Sequence, residues 1–244
     1  MMLRQAKPRE GGHVFNMDGA GATGMSTPRF AAYGATKAGL PQLLKSLSAE
    51  TKGTSVRVHN LSPGMVVTDL LLDGYPAAYA HCRPPGHHAG RALYGGYSYL
   101  NNAALAAAHL VPRGRVAVLD IDYHHGNGTQ DIFYDTDQVL FVSLHADPNR
   151  AYPFFCGYAA EEGTGAGSGY NHNVPLPAGT NDAEYIDVLS RALDRIAQFT
   201  PAHLVLSAGL DIFHDDPLGD FDLSEEAFAR IAGHIAALAL PTLL

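Results

Sequence analysis

The second half of this chain alternates short apolar runs with longer amphipathic ones, and that pattern limits its fold more than any other feature. Val116–Asp122, Val139–Leu144 and His203–Ser207 are rich in Val and Leu, too short for helices, and carry a polar residue at or next to their carboxyl ends. Such runs read as buried strands that feed loops. In Asp182–Phe199, by contrast, Tyr185, Ile186, Leu189, Leu193, Ile196 and Ala197 recur at three- and four-residue intervals after a capping residue at Thr180 or Asn181, which predicts a helix. Asn102–Leu110 and Ser224–Leu238 read as two more helices. Strands alternating with helices predict an α/β fold, a three-layer parallel sheet flanked by helices, with ligand chemistry at the carboxyl ends of the strands.

A chain of 244 residues, 46% of them hydrophobic, can fill one sizeable core or two small ones. Uncharged stretches such as Ala92–Pro112 are broken by Tyr, Ser, Asn, His and Gly, so no membrane partner is expected. Two cysteines, Cys82 and Cys156, make no disulfide scaffold, and residues 1–16 lack an apolar signal core. An intracellular setting follows, cytoplasmic by default, with nucleus and organelle left open. The 24 acidic residues outnumber the 16 basic ones, but most of the acids follow Pro76, whereas all four lysines (Lys7, Lys37, Lys45, Lys52) precede residue 53. A join between two unrelated segments explains this skew, with a boundary in Asp73–Pro76 dividing residues 1–76 from 77–244.

Successive even positions of a strand share a face, so Asp120, Asp122 and His124 are expected together at the carboxyl end of one strand. Asp211 follows the strand 203–207 at the same edge. Asp122, His124 and Asp211 offer one imidazole and two carboxylates, a set that suits zinc with a fourth position open to water or substrate. Upstream, Cys82-Arg-Pro-Pro-Gly-His-His88 sets His87 and His88 after a rigid turn, where imidazoles can do acid/base work near neutral pH. Any one of these residues alone would more simply be a capping aspartate or a packed or solvated histidine; the combination favours chemistry.

Together these residues resemble the zinc-dependent histone deacetylase and acetylpolyamine amidohydrolase superfamily. The resemblance covers residues 77–244 and is carried by Arg83-Pro-Pro-Gly-His-His-Ala89, Gly95-Gly-Tyr-Ser-Tyr-Leu-Asn-Asn102, Leu119-Asp-Ile-Asp-Tyr-His-His-Gly-Asn-Gly-Thr-Gln-Asp131, Ser143-Leu-His145 and Ser207-Ala-Gly-Leu-Asp-Ile-Phe213. Asn127 after His-His-Gly, with Asp147-Pro148 and Gly157-Tyr158, looks more like the acetylpolyamine and class II branch. The resemblance implies an arginase/deacetylase-like sheet and zinc on Asp122, His124 and Asp211. It implies acid/base roles for His87 and His88, with Asp120 and Asn127 behind them. It implies a channel for the acyl-lysine arm lined by Gly96, Tyr97 and Tyr152. It further implies two structural potassium ions. One would sit on Asp120, Ser143 and the carbonyls of Asp122, His124 and Leu144, the other on Phe133, Thr136, Val139 and Tyr170. The implied reaction is hydrolysis of an acetylated lysine peptide or acetylpolyamine to acetate and amine, with no direct nucleic-acid binding.

The chain also departs from this pattern. Superfamily members carry a Tyr in a Glu-Gly-Gly-Tyr loop beyond the next strand, where its hydroxyl stabilises the oxyanion. Here the last tyrosine is Tyr185 and the chain stops at Leu240–Leu244, so the deacetylase-like domain is expected to be incomplete and its turnover impaired. In place of the family's first strands, residues 12–72 resemble the carboxyl half of a short-chain dehydrogenase/reductase of the chlorophyll b reductase type. Gly12-His-Val-Phe-Asn-Met-Asp-Gly-Ala-Gly21, Tyr33-Gly-Ala-Thr-Lys37 and Ser62-Pro-Gly-Met-Val-Val-Thr-Asp-Leu70 carry that second resemblance. It implies a Rossmann-type fragment in which Tyr33 and Lys37, one helical turn apart, are vestigial cofactor contacts. No Gly-rich phosphate turn precedes Gly12, Ala20 stands where a catalytic Ser is common, and Pro41 falls inside the helix expected over Thr36–Glu50. No redox chemistry is therefore expected of it. The alternatives are an inactive zinc-binding fragment or chimeric gene product and, least favoured, an NADP-dependent oxidoreductase.

Overall fold

The computed structural model describes residues 12–17, 40–50, 52, 56–61, 77–78, 82 and 85–244. The boundary expected at Asp73–Pro76, and both Tyr33 and Lys37, lie outside the described residues. The chain divides into two compact units. In the first, β1 (Gly12–Met17), α1 (Leu40–Glu50) and β2 (Val56–Leu61) follow one another. The two strands pair in parallel, from Gly12 against Val56 to Met17 against Leu61. Pro41 lies in α1, and the residues before Leu40, where the expected helix would begin, lie outside the described residues.

The second unit contains β3 (Ala77–Ala78), α2 (Asn102–Leu110), β4 (Val116–Asp120), α3 (Asn127–Phe133), β5 (Val139–Ala146), β6 (Asn171–Leu176), α4 (Asp182–Phe199), β7 (His203–Ser207), α5 (Glu225–Ala236) and β8 (Thr242–Leu243). All six strands are parallel, in the order β3-β8-β7-β4-β5-β6. The sheet is covered on both faces, and the side-chain alternation of β4 shows how. Ala117 and Leu119 pack with Leu140, Val142 and Leu204 against Tyr185, Leu189 and Ile196 of α4 and Ala227 and Ile231 of α5. Val116 and Val118 point the other way, joining Val139, Phe141 and Val205 against Ala104 and Ala107 of α2 and Phe133 of α3. Each fully buried Leu, Ile or Val contributes about 1.5–3 kcal/mol of apolar transfer, which is why β4 and β5, buried along their whole lengths, need no polar alternation. Among the described residues no helix is long and apolar enough to cross a membrane.

Two of the three helices expected from periodicity match in full. The third differs, because Ser224 stands just before α5, with extended backbone, rather than within it, and the helix ends at Ala236. Two elements fall outside the hydrophobic pattern. β6 (Asn-His-Asn-Val-Pro-Leu) is an edge strand that points asparagines inward. α3 begins Asn-Gly-Thr with no side-chain cap, and its first amides are satisfied from elsewhere: Gly128 N–H and Thr129 N–H donate to the His87 carbonyl at 2.9 and 3.2 Å. A partner some forty residues away in the chain leaves no local sequence signal.

α4 opens with a full capping box, in which Asn181 accepts from Ala183 N–H and Glu184 N–H while Glu184 accepts from Asn181 N–H. Its first residue also fastens the next helix. Asp182 accepts from Ser224 N–H at 2.8 Å and from Ser224 Oγ–H at 2.6 Å, and these two bonds hold its carboxyl below the ordinary aspartate range. Asp182→Ala should lower the unfolding free energy by about 0.5–1 kcal/mol near neutral pH. A depressed folded-state pKa gives stability that is present above the unfolded value and lost as pH falls through the folded one. The gap between wild type and variant should therefore close in denaturant titrations taken well below pH 4, on the unperturbed value of 3.8. An undiminished gap there would mean that the carboxylate is not what joins the two helices.

Candidate functional site

The site is built on the carboxyl edge of the sheet, beyond β4 and β7. Asp120 ends β4, and the register sets it between Ser143 of β5 and Ser207 of β7. The strand stops there, so the expectation that Asp120, Asp122 and His124 share one strand face is corrected. Asp122 and His124 lie in the bend that follows, and this bend folds back by side-chain turns: Asp122 N–H donates to Asp120 Oδ1 at 3.2 Å and His124 N–H to Asp122 Oδ1 at 2.8 Å. Asp120 then points to a different partner from the other two. Its Oδ2 accepts from Nδ1–H of His87 at 2.9 Å, and the carboxylate is fully buried.

Asp122, His124 and Asp211 offer three ligand atoms within 4.8 Å of one another, the one such group among the described residues. His124 Nδ1 lies 2.8 Å from Asp211 Oδ2 and 3.2 Å from Asp122 Oδ1, and Tyr123 N–H donates to Asp211 Oδ1 at 3.0 Å. Burial disfavours charge on His124, but its bonds to Asp122 and Asp211 outweigh this and hold it at about 9. Asp122 is lowered although burial opposes ionisation, because the His87 charge and the His124 bonds win; Asp211 is raised, by burial first and then by Asp122. A proton on His124 thus stands between two carboxylates where a divalent cation would serve the same electrostatic need, and the donor set of one nitrogen and two carboxylates fits zinc.

The tandem histidines flank this group in different states. His87 is raised to about 9, since Asp120 and Asp122 outweigh the burial that would lower it, and its Nε2 lies 3.8 Å from Asp122 Oδ2. His88 is lowered to about 4 by burial and by the charge of His87. Its Nδ1–H donates to Asn127 Oδ1 at 2.7 Å, leaving Nε2 as the basic nitrogen. Its ring sits 4.0 Å from that of His87 and 6.2 Å from that of His124.

Of the expected channel residues, Tyr152 packs edge-on to His88 with ring centroids 4.8 Å apart, and its hydroxyl lies beside Gly95. Gly96 takes a left-handed φ of 51°, and a Cβ there would overlap the His88 ring. Tyr97 follows in the same tight turn, closed by Ser98 N–H to the Gly95 carbonyl at 2.7 Å, and is 82% exposed. The first potassium set has Asp120 and Ser143 facing across the ladder, though Ser143 Oγ is shared with His145 Nδ1 at 2.8 Å. In the second set the Phe133 carbonyl accepts from Thr136 N–H and the Tyr170 carbonyl from Phe141 N–H, while Val139 opens β5. Two glycines outside the sequence-derived set also shape the site. A Cβ at Gly126 would overlap Asp120, and one at Gly209 would overlap Asp122 and fall 2.5 Å from Asp211 Oδ1. Gly209 lies within the Ser207-Ala-Gly-Leu-Asp211 motif, so its signal is its place two residues ahead of Asp211.

A family model of the histone deacetylase domain matches residues 48–243. The chain belongs to the histone deacetylase family. It is 47% identical over 196 residues to acetylpolyamine amidohydrolase 1 of Pseudomonas aeruginosa, covering 79% of this chain and 57% of that protein. It is also 47% identical over 178 residues to the acetylpolyamine amidohydrolase of Mycoplana ramosa, covering 72% of this chain and 52% of the relative. The crystal structure of acetylpolyamine aminohydrolase from Burkholderia pseudomallei superposes with a TM-score of 0.70 at 48% identity, over 71% of this chain and 51% of that one. The chain therefore spans about half the length of the curated relatives it matches, and its six-stranded sheet has the deacetylase-family architecture. A short chain dehydrogenase model matches residues 1–74, overlapping the histone deacetylase match over residues 48–74.

If the three-residue group of this histone deacetylase family member is a metal centre, Gly209→Ala should abolish it, because the new methyl takes space that two ligand carboxylates need. Wild type should hold about one zinc per chain by elemental analysis after gel filtration, and Gly209→Ala, His124→Ala and Asp211→Ala much less, with unchanged far-UV spectra. Equal zinc in all four proteins would place the metal elsewhere.

Proposed function

We propose that this chain is a zinc-dependent amidohydrolase that removes acetyl groups from acetylpolyamines or acetylated lysine side chains. The observation that carries this reading is a neutral, oriented histidine beside a three-ligand group: His88, held by Asn127, with His124, Asp122 and Asp211. Zinc on Asp122, His124 and Asp211 would polarise the acetyl carbonyl and acidify a water molecule. The protein's own residues would do the rest. His88 Nε2 accepts the water's proton and passes it to the leaving amine, while His87, kept charged by buried Asp120, offers positive potential next to Asp122. Tyr152, set edge-on against His88, forms a wall for the acyl arm, with Gly96 and Tyr97 as the other lining. The acidic excess after Pro76 suits a cationic substrate of either kind, and the acetylpolyamine activity named for the P. aeruginosa and M. ramosa relatives makes the polyamine the first to assay. Potassium at Asp120 and Ser143 belongs to the same proposal, supported by their pairing across the ladder.

Of the tyrosines near the metal group, Tyr123 spends its hydroxyl on Asp220 at 2.8 Å and Tyr152 has its own beside Gly95, so neither is committed to the oxyanion. If neither Tyr123 nor Tyr152 supplies that donor, about 10²–10³ in rate is lost, so zinc-loaded protein should hydrolyse acetylpolyamine slowly and a trifluoroacetyl analogue, with its electron-poor carbonyl, much faster. His88→Ala should remove both activities while zinc is retained. Turnover that survives His88→Ala, or stoichiometric zinc with no hydrolysis of either substrate, would sink this reading, the second in favour of an inactive zinc-binding protein.

A further inference from the structure

The segment between β5 and β6, residues 147–170, carries Tyr152 but has no regular structure beyond one 3-10 turn at Gly165–Gly167. Loops of that length without secondary structure are uncommon and are usually functional. Within its first part the loop is folded on itself: Phe155 N–H donates to the Pro148 carbonyl at 2.8 Å and Tyr158 Oη–H to Asn149 Oδ1 at 2.9 Å. These bonds tie the two ends of residues 148–158 to each other, so that contacts at Gly157 and Tyr158 bear on the part of the loop that carries Tyr152.

One carboxylate gathers the amides of both residues, and the Tyr158 carbonyl also accepts from Asn173 Nδ2–H at 3.3 Å. Glu161 accepts from Gly157 N–H at 3.0 Å, from Tyr158 N–H at 3.2 Å and from Gln130 Nε2–H at 2.6 Å. Gln130 is 8% exposed and lies on α3, one turn after Asn127; its Oε1 accepts from Asn171 Nδ2–H at 2.9 Å and Asn173 Nδ2–H at 2.7 Å on β6. From the sheet side, His145 Nε2–H donates to the Gly157 carbonyl at 3.0 Å, and a Cβ at Gly157 would crowd His125 and His145. Every donor in this chain of bonds has an acceptor, and it starts on the same helix that holds His88.

We infer that Glu161 is a positioning residue for the substrate wall: through Gln130 it ties the loop carrying Tyr152 to α3, so that the wall and His88 are set by one helix. This deepens the amidohydrolase reading and rests on it for the meaning of the wall, but not for the geometry. Asn171 and Asn173, which make β6 unreadable as a hydrophobic strand, are the sheet-side anchors of this device.

The chain has no Trp, so Tyr152→Trp gives a single indole fluorophore on the loop of the full protein. In that background Glu161→Gln sets an amide N–H₂ against both the Gln130 amide and Gly157 N–H, or, turned over, against Tyr158 N–H. Adding Gln130→Glu restores the side-chain pair between positions 130 and 161 with donor and acceptor exchanged, leaving Gly157 N–H as the one donor still opposed. Iodide quenching of the introduced indole should rise severalfold in Glu161→Gln and return towards the starting value in the double exchange, with far-UV signal and zinc content constant throughout. Unchanged quenching in a folded Glu161→Gln protein would overturn the inference. So would loss of the whole far-UV signal, since the carboxylate would then hold the fold and not the loop. On the trifluoroacetyl substrate, with Tyr152 intact, Glu161→Gln should raise KM severalfold and leave kcat within about twofold, the pattern for lost uniform binding. A fall in kcat alone would overturn the role assigned to the wall. The fluorescence arm needs no turnover, so it is read even if the amidohydrolase reading fails.

Discussion

A carboxylate with no exposed surface, Asp120, terminates the central strand, and much of the site follows from how that charge is satisfied. An unpaired buried charge costs several kcal/mol, so the chain must bring it partners. One is Nδ1–H of His87, which couples the loop of the tandem histidines to the sheet; another is Asp122 N–H, which bends the chain as it leaves β4. That bend turns Asp122 and His124 toward Asp211, which follows β7, a neighbour of β4. The close approach of Gly126 and Gly209 to these carboxylates belongs to the same constraint, because three acids can crowd one sheet edge only where backbone without side chains passes them.

α3 links this centre to its surroundings. Its amino-terminal amides are capped by the His87 carbonyl, its first residue Asn127 fixes the tautomer of His88, and Gln130 reaches the loop between β5 and β6. A helix of seven residues gains little from its own hydrogen bonding and depends on tertiary partners. The same contacts that orient the histidines thus make the helix.

This dependence separates what the sequence discloses from what it does not. Strands β4, β5 and β7 and helices α2 and α4 are legible because burial on both faces leaves apolar runs, and burial on one face leaves a three-to-four periodicity, each within a single segment. Asp122, His124 and Asp211 are legible because two short spacings at strand ends carry them. By contrast, α3 and β6 are stabilised by polar bonds from distant residues, the His87 carbonyl in one case and Gln130 in the other, so their own composition reads as loop. β4 reads as longer than it is for a related reason: alternation continues through Asp122, but side-chain turns at Asp120 and Asp122 end the ladder first.

Charge balance accounts for the division of labour between the two histidines. Asp120, Asp122 and Asp211 gather three carboxyl groups at one edge, and His87 and His124, both raised to about 9, neutralise most of that charge. A dication held by Asp122, His124 and Asp211, as proposed, would take the place of the proton on His124, while His87 has Asp120 fully buried beside it to favour its own charge. His88 has a neutral amide oxygen from Asn127 where His87 has a carboxylate, and it sits against a charged ring at 4.0 Å, so it alone of the three is left uncharged. In the proposed reaction the base would be selected by what stands behind each imidazole: a buried carboxylate favours a fixed cation, and an amide leaves a nitrogen open to a proton.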